Sequence, residues 1–313
     1  MRRRRLLPAL VAVLALVVAG CAHHGSGSSD VSPLTGLPGA GAEPVLAVKV
    51  DNSRTARPWT GLEDADVVYV EPVEGGTTRL LAVFASRRPA SVGPVRSFRE
   101  SDLDVLAAYG RPALVYSGAA PELGSALASA PVVGLSPDTV PGAFRRDTSR
   151  RAPDNLYADP AALLAAAGGA EAPRDVGFTF GAAPGGGTAT TSRSIAVGST
   201  AVGLTWDATA GRWQLAMDGR PAVTTDGTRL AAATVLVQSV QTVPSAVHDV
   251  AGRVSPRAQT VGDGSAEVLR DGKAFPAHWS RSSADTGTSV TGDDGNTLPF
   301  ATGPIWILLV PRA

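Results

Sequence analysis

Glu71 and Glu74 are the side chains in this sequence best suited to acid–base chemistry, because they are two carboxyl groups only three residues apart. Paired carboxylates cleave glycosidic bonds when one acts as a general acid and the other as a base or nucleophile. On one strand, residues i and i+3 point to opposite faces, so a direct pairing requires a bulge at Pro72. Asp51 or Asp66 is therefore an alternative second carboxylate.

Arginines near the same stretch indicate a different chemistry, the binding of an anion. Arg79 and Arg96 fall near predicted element ends, and a planar guanidinium matches the geometry of carboxylate and phosphate groups. If the glutamates instead pair with these arginines or with Arg57, the ion pairs only hold loops in place. Scaffolding, ligand binding and catalysis all remain open at this point.

A larger set of polar residues lies near predicted element ends in the first half of the chain, where strand ends open into a crevice. Four arginines within residues 145–151 add positive charge, and such a run either binds anions or forms a solvated surface. We predict a ligand site from Asp51, Asn52, Arg57, Glu71, Glu74, Arg79, Arg96, Ser97, Ser117, Arg146, Arg150 and Asn155.

The apolar pattern predicts a β-hairpin that positions both glutamates. Residues 66–71 and 78–85 have the composition of strands, and the two glycines of the segment 74–76 allow the positive φ of a tight turn. Both faces of the first strand are apolar, which predicts a central strand covered on both sides. Glu71 ends that strand, and we expect it at the rim of a crevice.

A helix is predicted to follow the hairpin, over residues 98–109. Ser97 and Glu100 match a capping box, S-x-x-E, at its start. Arg96 and Arg99 flank that start, so the helix N-terminus is a candidate anion site, with ordinary capping and solvated arginines as the alternative.

Two domains are predicted from a change in character along the chain. Strands alternate with helices in the first half, whereas short strand candidates recur between Asp-Gly or Gly turns in the second. We expect an α/β (or α+β) N-terminal domain at 33–180, a Gly-rich linker at 181–192 and a smaller β-rich C-terminal domain at 193–313.

Residues 1–20 have the features of a secretory signal peptide, with arginines at 2–5 followed by an apolar run. Small residues directly precede Cys21, which matches the lipobox of bacterial lipoproteins. By that resemblance Cys21 becomes the N-terminus and carries a diacylglycerol that anchors the protein in the membrane. Residues 21–32 then form a flexible tether. A cleaved signal followed by an incidental cysteine is the alternative.

Composition and missing motifs exclude several functions. Beyond the basic residues 2–5, the chain has 24 Lys and Arg against 28 Asp and Glu, a formal net charge of −4 that disfavours nucleic acid as a partner. A single cysteine excludes a disulfide framework. His248 and His278 are far in sequence from Ser97 and Ser117, so a catalytic triad is not predicted. With no metal-binding or nucleotide-binding motif, we expect neither a metal nor a cofactor.

Six stretches of the chain match the motifs of one known family: PLTGLP, VDNSRTARPWTGLEDADVVYVEPVEGGTTRLLAVF, VGPVRS, SRRAPDNLY, GKAFPAHWSR and GPIWILLVP. In these stretches the chain resembles the YerB-like family of bacterial lipoproteins. The resemblance implies a membrane-anchored protein on the outer face of the cytoplasmic membrane, and it implies no reaction. After Ser97 the family usually continues Ala-Arg-Pro, unlike this chain, and it usually has histidine at Asp154. If that histidine is a catalytic base, this chain lacks it.

Two functions stay open. The favoured hypothesis is a lipid-anchored cell-envelope protein that binds an anionic or cell-wall sugar ligand, or a partner protein, at the arginine-rich rim. The alternative is a carboxylate-dependent peptidoglycan hydrolase that uses Glu71 and Glu74. Both require acidic and guanidinium side chains to meet at one concave site.

Overall fold

The structure is a computed structural model that describes residues 31–39, 43–249 and 251–312. The predicted signal peptide, Cys21 and nearly all of the predicted tether lie outside these residues. Within the described ranges, no helix is long and apolar enough to cross a membrane.

The first half of the described chain contains seven strands and three short α-helices. They are β1 Leu46–Asp51, β2 Val67–Pro72, β3 Thr78–Phe84, α1 Glu100–Leu106, β4 Ala113–Val115, α2 Gly124–Ser129, β5 Val133–Leu135, β6 Phe144–Arg146, β7 Leu156–Ala158 and α3 Pro160–Ala166. Because the helices have only seven, six and seven residues, the predicted α/β character holds only in part.

The second half is rich in strands, as predicted, and its described residues contain no α-helix after α3. The strands are β8 Thr188–Ala189, β9 Ser192–Val197, β10 Thr200–Asp207, β11 Arg212–Met217, β12 Arg220–Pro221, β13 Ala231–Ala232, β14 Thr234–His248, β15 Val254–Gln259, β16 Gly262–Arg270, β17 Lys273–Arg281, β18 Ser289–Gly292 and β19 Ile305–Pro311.

Strands from both halves combine into one twelve-stranded sheet in the order β18-β17-β16-β14-β19-β2-β3-β1-β4-β5, with β15 paired to β14 and β8 to β17. The last strand, β19, runs parallel to both β14 and β2 and lies between them. Five consecutive residues of β19 are buried, as expected for a strand covered on both faces. Strand β19 therefore joins the two halves.

The two faces of this sheet pack against different partners. On one face, Val48 and Val70 belong to a core shared with Trp213 and Leu215 of the five-stranded sheet β9–β13. The opposite face carries a second core that includes Leu106 of α1. Each fully buried aliphatic side chain contributes roughly 1.5–3 kcal/mol. The prediction that β2 is central and covered on both sides is confirmed.

The hairpin of β2 and β3 is also confirmed. Glu71 pairs in register with Arg79, and the turn Glu74–Gly76 is a short 3-10 segment. Gly75 has a φ of 67°, in the left-handed region that favours glycine, and a Cβ there would collide with the Arg253 guanidinium. This turn thus brings a side chain of the second half onto the hairpin.

The start of α1 differs from the prediction. The capping residue is Arg99 rather than Ser97, and its N–H donates to the Asp102 carboxylate at 2.5 Å. A backbone hydrogen bond explains why the helix begins later than predicted, because the Phe98 N–H donates to the Gly118 carbonyl oxygen and keeps this segment extended. The Glu100 carboxylate instead binds Arg257, at 2.8 Å. The Asp102 carboxylate already accepts a hydrogen bond at the start of this short helix, which agrees with the alternative of ordinary capping, and the anion site there stays a prediction.

Candidate functional site

A cleft of about 560 Å³ opens where β1 ends, β3 begins and the segment leading into α1 passes. We call it the arginine cleft. It brings together five of the residues predicted from sequence, which are Asp51, Glu74, Arg79, Arg96 and Ser97. Its further charged or titratable lining residues are Arg99, Glu122, His248, Asp249 and Arg253.

Most arginines of the cleft are neutralised by a carboxylate. The Arg96 guanidinium lies 2.7 Å from Asp51 and is 28% exposed. Arg99 holds Glu74 through two hydrogen bonds, at 2.5 and 3.0 Å. Such bidentate pairs are both stronger and more directional than single contacts.

Arg79 differs from its neighbours, since no carboxylate of the described residues lies within ion-pair distance of it. Its Nη1 donates to the Ser97 carbonyl oxygen at 2.9 Å. Burial, together with the positive charges of Arg99 and Arg96, lowers the pKa of Arg79 to about 10. The group stays protonated at neutral pH, so the cleft contains a half-buried cation without a direct ion-pair partner, on which the charges of Asp51 and Glu74 act from further away.

Glu74 is poorly placed to donate a proton. Burial alone raises its pKa, but the hydrogen bonds and the charge of Arg99 outweigh that effect and leave the pKa below its usual value. A general acid needs the opposite shift. Within the cleft, Glu74 acts as the counter-ion of Arg99.

Glu71 does not reach the cleft. Its carboxylate is 1% exposed and binds the Lys49 ammonium, which also lies 2.7 Å from Asp102 of α1. The expectation that Glu71 lies at a rim was wrong, because its face of the sheet is covered by α1. Glu71 and Glu74 thus face different surroundings, and the geometry does not pair them for catalysis.

The cluster of Lys49, Glu71 and Asp102 contains two carboxyl groups for one ammonium. Burial, and then the charge of Asp102, raise the pKa of Glu71 to about 8. Its Oε1 is buried without a hydrogen-bond partner. A buried cluster of this composition is neutral when Glu71 keeps its proton.

A second cavity of about 530 Å³ lies between the loop after β1 and the turn from β11 to β12. Arg57 lines it, 2.9 Å from the Asp218 carboxylate and 5.6 Å above the ring of Trp59. The same guanidinium donates to Asn52 through the side-chain oxygen, at 3.1 Å, and the carbonyl oxygen, at 2.7 Å. Arg54 and Arg220 complete the positive rim.

The remaining predicted residues line neither cavity. Arg146 donates to the side-chain oxygen of Asn155 at 2.7 Å, and Arg150 donates to the Tyr157 hydroxyl at 2.5 Å. The backbone N–H of Ser117 donates to the Arg96 carbonyl oxygen at 3.0 Å. These contacts hold loops in place.

Two buried charges were missed by the sequence analysis, Lys49 and Asp102. Lys49 does carry a signal, because an ammonium in the middle of an apolar strand requires a buried carboxylate partner. The sequence does not indicate which carboxylate that partner is, since Asp102 lies 53 residues further along the chain. Within the described ranges, no group of three or more His, Cys, Asp or Glu is placed to hold a metal ion.

Comparison with known proteins identifies the family. Residues 34–173 match the family described as "Protein of unknown function (DUF3048) N-terminal domain", and residues 193–307 match its C-terminal domain. The chain belongs to this DUF3048 family. The two-part organisation agrees with the predicted one, while the boundaries we gave at 180 and 193 stay predictions.

Relatives of this DUF3048 protein bear out the YerB-like resemblance. The chain is 53% identical over 55 residues to "Putative lipoprotein YerB" of Bacillus subtilis (strain 168), a match that spans 18% of this chain and 17% of that protein. The structure also resembles one titled "Crystal structure of YerB protein from Bacillus subtilis", with a TM-score of 0.75 and 24% identity over 90% of this chain and 97% of the other. The second likeness establishes the fold.

Proposed function

We propose that this DUF3048 protein is a lipid-anchored protein of the cell envelope that binds an anionic ligand in the arginine cleft. The anchor is supported by the lipobox pattern ending at Cys21 and by a relative whose name describes a lipoprotein. Lipidation at that residue would place the folded part just outside the cytoplasmic membrane, next to the cell wall.

Arg79 is the observation that carries the binding proposal. A guanidinium that is partly withdrawn from water loses solvation, and nearby arginines repel it further. An arriving carboxylate or phosphate relieves both costs and gains charge-assisted hydrogen bonds. Arg96 and Arg99 are already paired, so Arg79 is the guanidinium of the cleft that is free to pair with a ligand.

The walls of the cleft carry hydroxyl groups beside the charged side chains, and apolar residues such as Val73 and Val247 complete them. Thr77 and Ser97 line it beside Arg79, and Ser53 lies on the side of β1. Hydroxyl groups both donate and accept hydrogen bonds, as the hydroxyls of a sugar or a glycerol unit also do. The ligand class is therefore an anion attached to a hydroxylated carbon framework.

Glycoside hydrolysis receives no support from a specific contact. Each of its two candidate carboxyl groups is engaged by a cation, Glu71 by Lys49 and Glu74 by Arg99. Binding without reaction accounts for the ion pairs, and we therefore favour it.

Binding to isolated cell walls tests this function. The detergent-solubilised mature protein should co-sediment with them, and Arg79→Ala should lower the affinity about tenfold or more, because a hydrogen bond to a charged group contributes roughly 1.5–3 kcal/mol. Arg111→Ala is the matched control, since Arg111 is exposed and lines neither cavity. Equal binding by wild type and Arg79→Ala contradicts the proposal.

A further inference from the structure

We propose that the ligand is a linear polyanion, whose successive phosphate or carboxylate groups occupy the arginine cleft and the second cavity at the same time. This inference rests on the proposed function, because it takes the arginine cleft as a binding site. It adds a second site and the chemical class of the molecule that joins them.

The two cavities share a wall. The Asn52 side chain donates to the Thr78 hydroxyl of the arginine cleft at 2.7 Å and accepts from Arg57 of the second cavity at 3.1 Å. Ser53 lines the first cavity and Arg54 lines the second. Their Cα atoms are about 3.8 Å apart, as in any trans peptide unit, so the linings meet within one residue.

The second cavity carries more positive than negative charge. Arg54, Arg57 and Arg220 line it, against the single carboxylate of Asp218. Asp218 is shared, lying 2.9 Å from Arg57 and 3.6 Å from Arg54, which is 82% exposed. Arg220 has no carboxylate of the described residues within ion-pair distance. Both cavities thus offer a guanidinium that lacks a full counter-charge.

A polymeric ligand accounts for two features of the charged cavities, their adjacency and their large volume. Each has a volume above 500 Å³, far more than one phosphate or carboxylate group fills. Pro58 and Pro221 are exposed in the second cavity and give an apolar surface for the uncharged spacer between two anionic groups. Linking two anions makes the second contact intramolecular, and such a link strengthens binding by up to about 10²–10⁴-fold.

Calorimetric titration with two oligomer series tests the inference. The mature protein in detergent is titrated, at constant physiological ionic strength, with glycerol phosphate oligomers and with galacturonate oligomers of increasing length. We expect affinity per molecule to rise tenfold or more once the oligomer spans both cavities. Arg54→Ala combined with Arg220→Ala should abolish that rise while monomers still bind through Arg79, because neither residue lines the arginine cleft and exposed surface substitutions rarely disturb folding.

Arg111→Ala combined with Arg145→Ala is the control, since both side chains are exposed and line neither cavity. A rise in one series only supports the inference and identifies the anion as phosphate or carboxylate. If the control pair loses the rise equally, or if affinity grows only in proportion to length, the inference is overturned while monomer binding through Arg79 still stands. If monomers fail to bind, the proposed function fails as well.

Discussion

Glu71 and Arg79 lie directly opposite each other on β2 and β3, yet their charged groups have different partners. The Glu71 carboxylate binds Lys49, whereas the Arg79 guanidinium donates to the Ser97 carbonyl oxygen at the wall of the arginine cleft. Register alone therefore does not make Glu71 the counter-ion of Arg79, on which the charges of Asp51 and Glu74 act instead.

Replacing Lys49 with methionine should destabilise the fold strongly. The substitution leaves Glu71 and Asp102 buried without a cation, and breaking a buried pair in this way costs about 3–5 kcal/mol of unfolding free energy. Urea unfolding measures it. Lys273→Met is the control, because the only other lysine is exposed, and a change within about 0.5 kcal/mol is expected there. Equal stability of both variants would contradict the buried ion cluster.

The stability of the protein should fall as pH rises from 4.5 towards about 8. Glu71 has a pKa of about 8 when folded, raised by burial and by Asp102, against an ordinary value of 4.5 when unfolded. Between these values only the folded state keeps the proton, so the unfolding free energy falls by at most about 1.4 kcal/mol per pH unit.

Glu71→Gln isolates this contribution from other titrating groups. Glutamine keeps the shape of the protonated carboxyl but does not titrate, so the variant should lose stability less steeply than wild type across that window. Urea unfolding at several pH values compares the two slopes. Identical slopes would show that Glu71 does not keep its proton in the folded state.

Asp51→Asn should strengthen anion binding. Asp51 neutralises Arg96 at 2.7 Å, and the amide removes that charge while keeping the shape of the side chain. Arg96 then becomes a second unneutralised cation beside Arg79, and affinity for glycerol 3-phosphate should rise several-fold by calorimetry. Weaker binding would instead mean that Asp51 itself contacts the ligand.

A fragment of residues 33–180 should not fold into a soluble monomer. Removing β19 exposes the edge of β2, and an unpaired apolar strand at the middle of a sheet promotes aggregation. Size-exclusion chromatography and circular dichroism report the outcome. A monomeric fragment with cooperative unfolding would contradict the shared sheet and support two independent domains.

The local part of the fold could be predicted from the sequence. The hairpin of β2 and β3 follows from two apolar runs and the glycines at 75 and 76, because both strand pattern and turn depend on neighbouring residues. The position of β19 could not be predicted in the same way. It pairs with β2 across more than 200 residues of chain, and no local pattern encodes that pairing.

The candidate site could likewise be predicted only in part from the sequence. Arg79, Arg96 and Glu74 could be placed near one rim because each follows or precedes a predicted element. The ion-pair partners could not be predicted in this way. Several cations could pair with Glu71 from the sequence alone, and only the packing of the fold shows that Lys49 does. The capping residue of α1 was misplaced for a similar reason, because pairing of Phe98 with Gly118 overrides the local motif.

The most direct test of the site is the affinity of wild type, Arg79→Lys and Arg79→Ala for glycerol 3-phosphate, measured by calorimetry at fixed ionic strength. Wild type should bind, and Arg79→Ala should lose at least tenfold in affinity. Arg79→Lys should fall between them, because it keeps the charge and loses the planar fork. Absence of binding by wild type, or equal affinity of wild type and Arg79→Ala, would contradict the assignment of Arg79 as the ligand-binding cation.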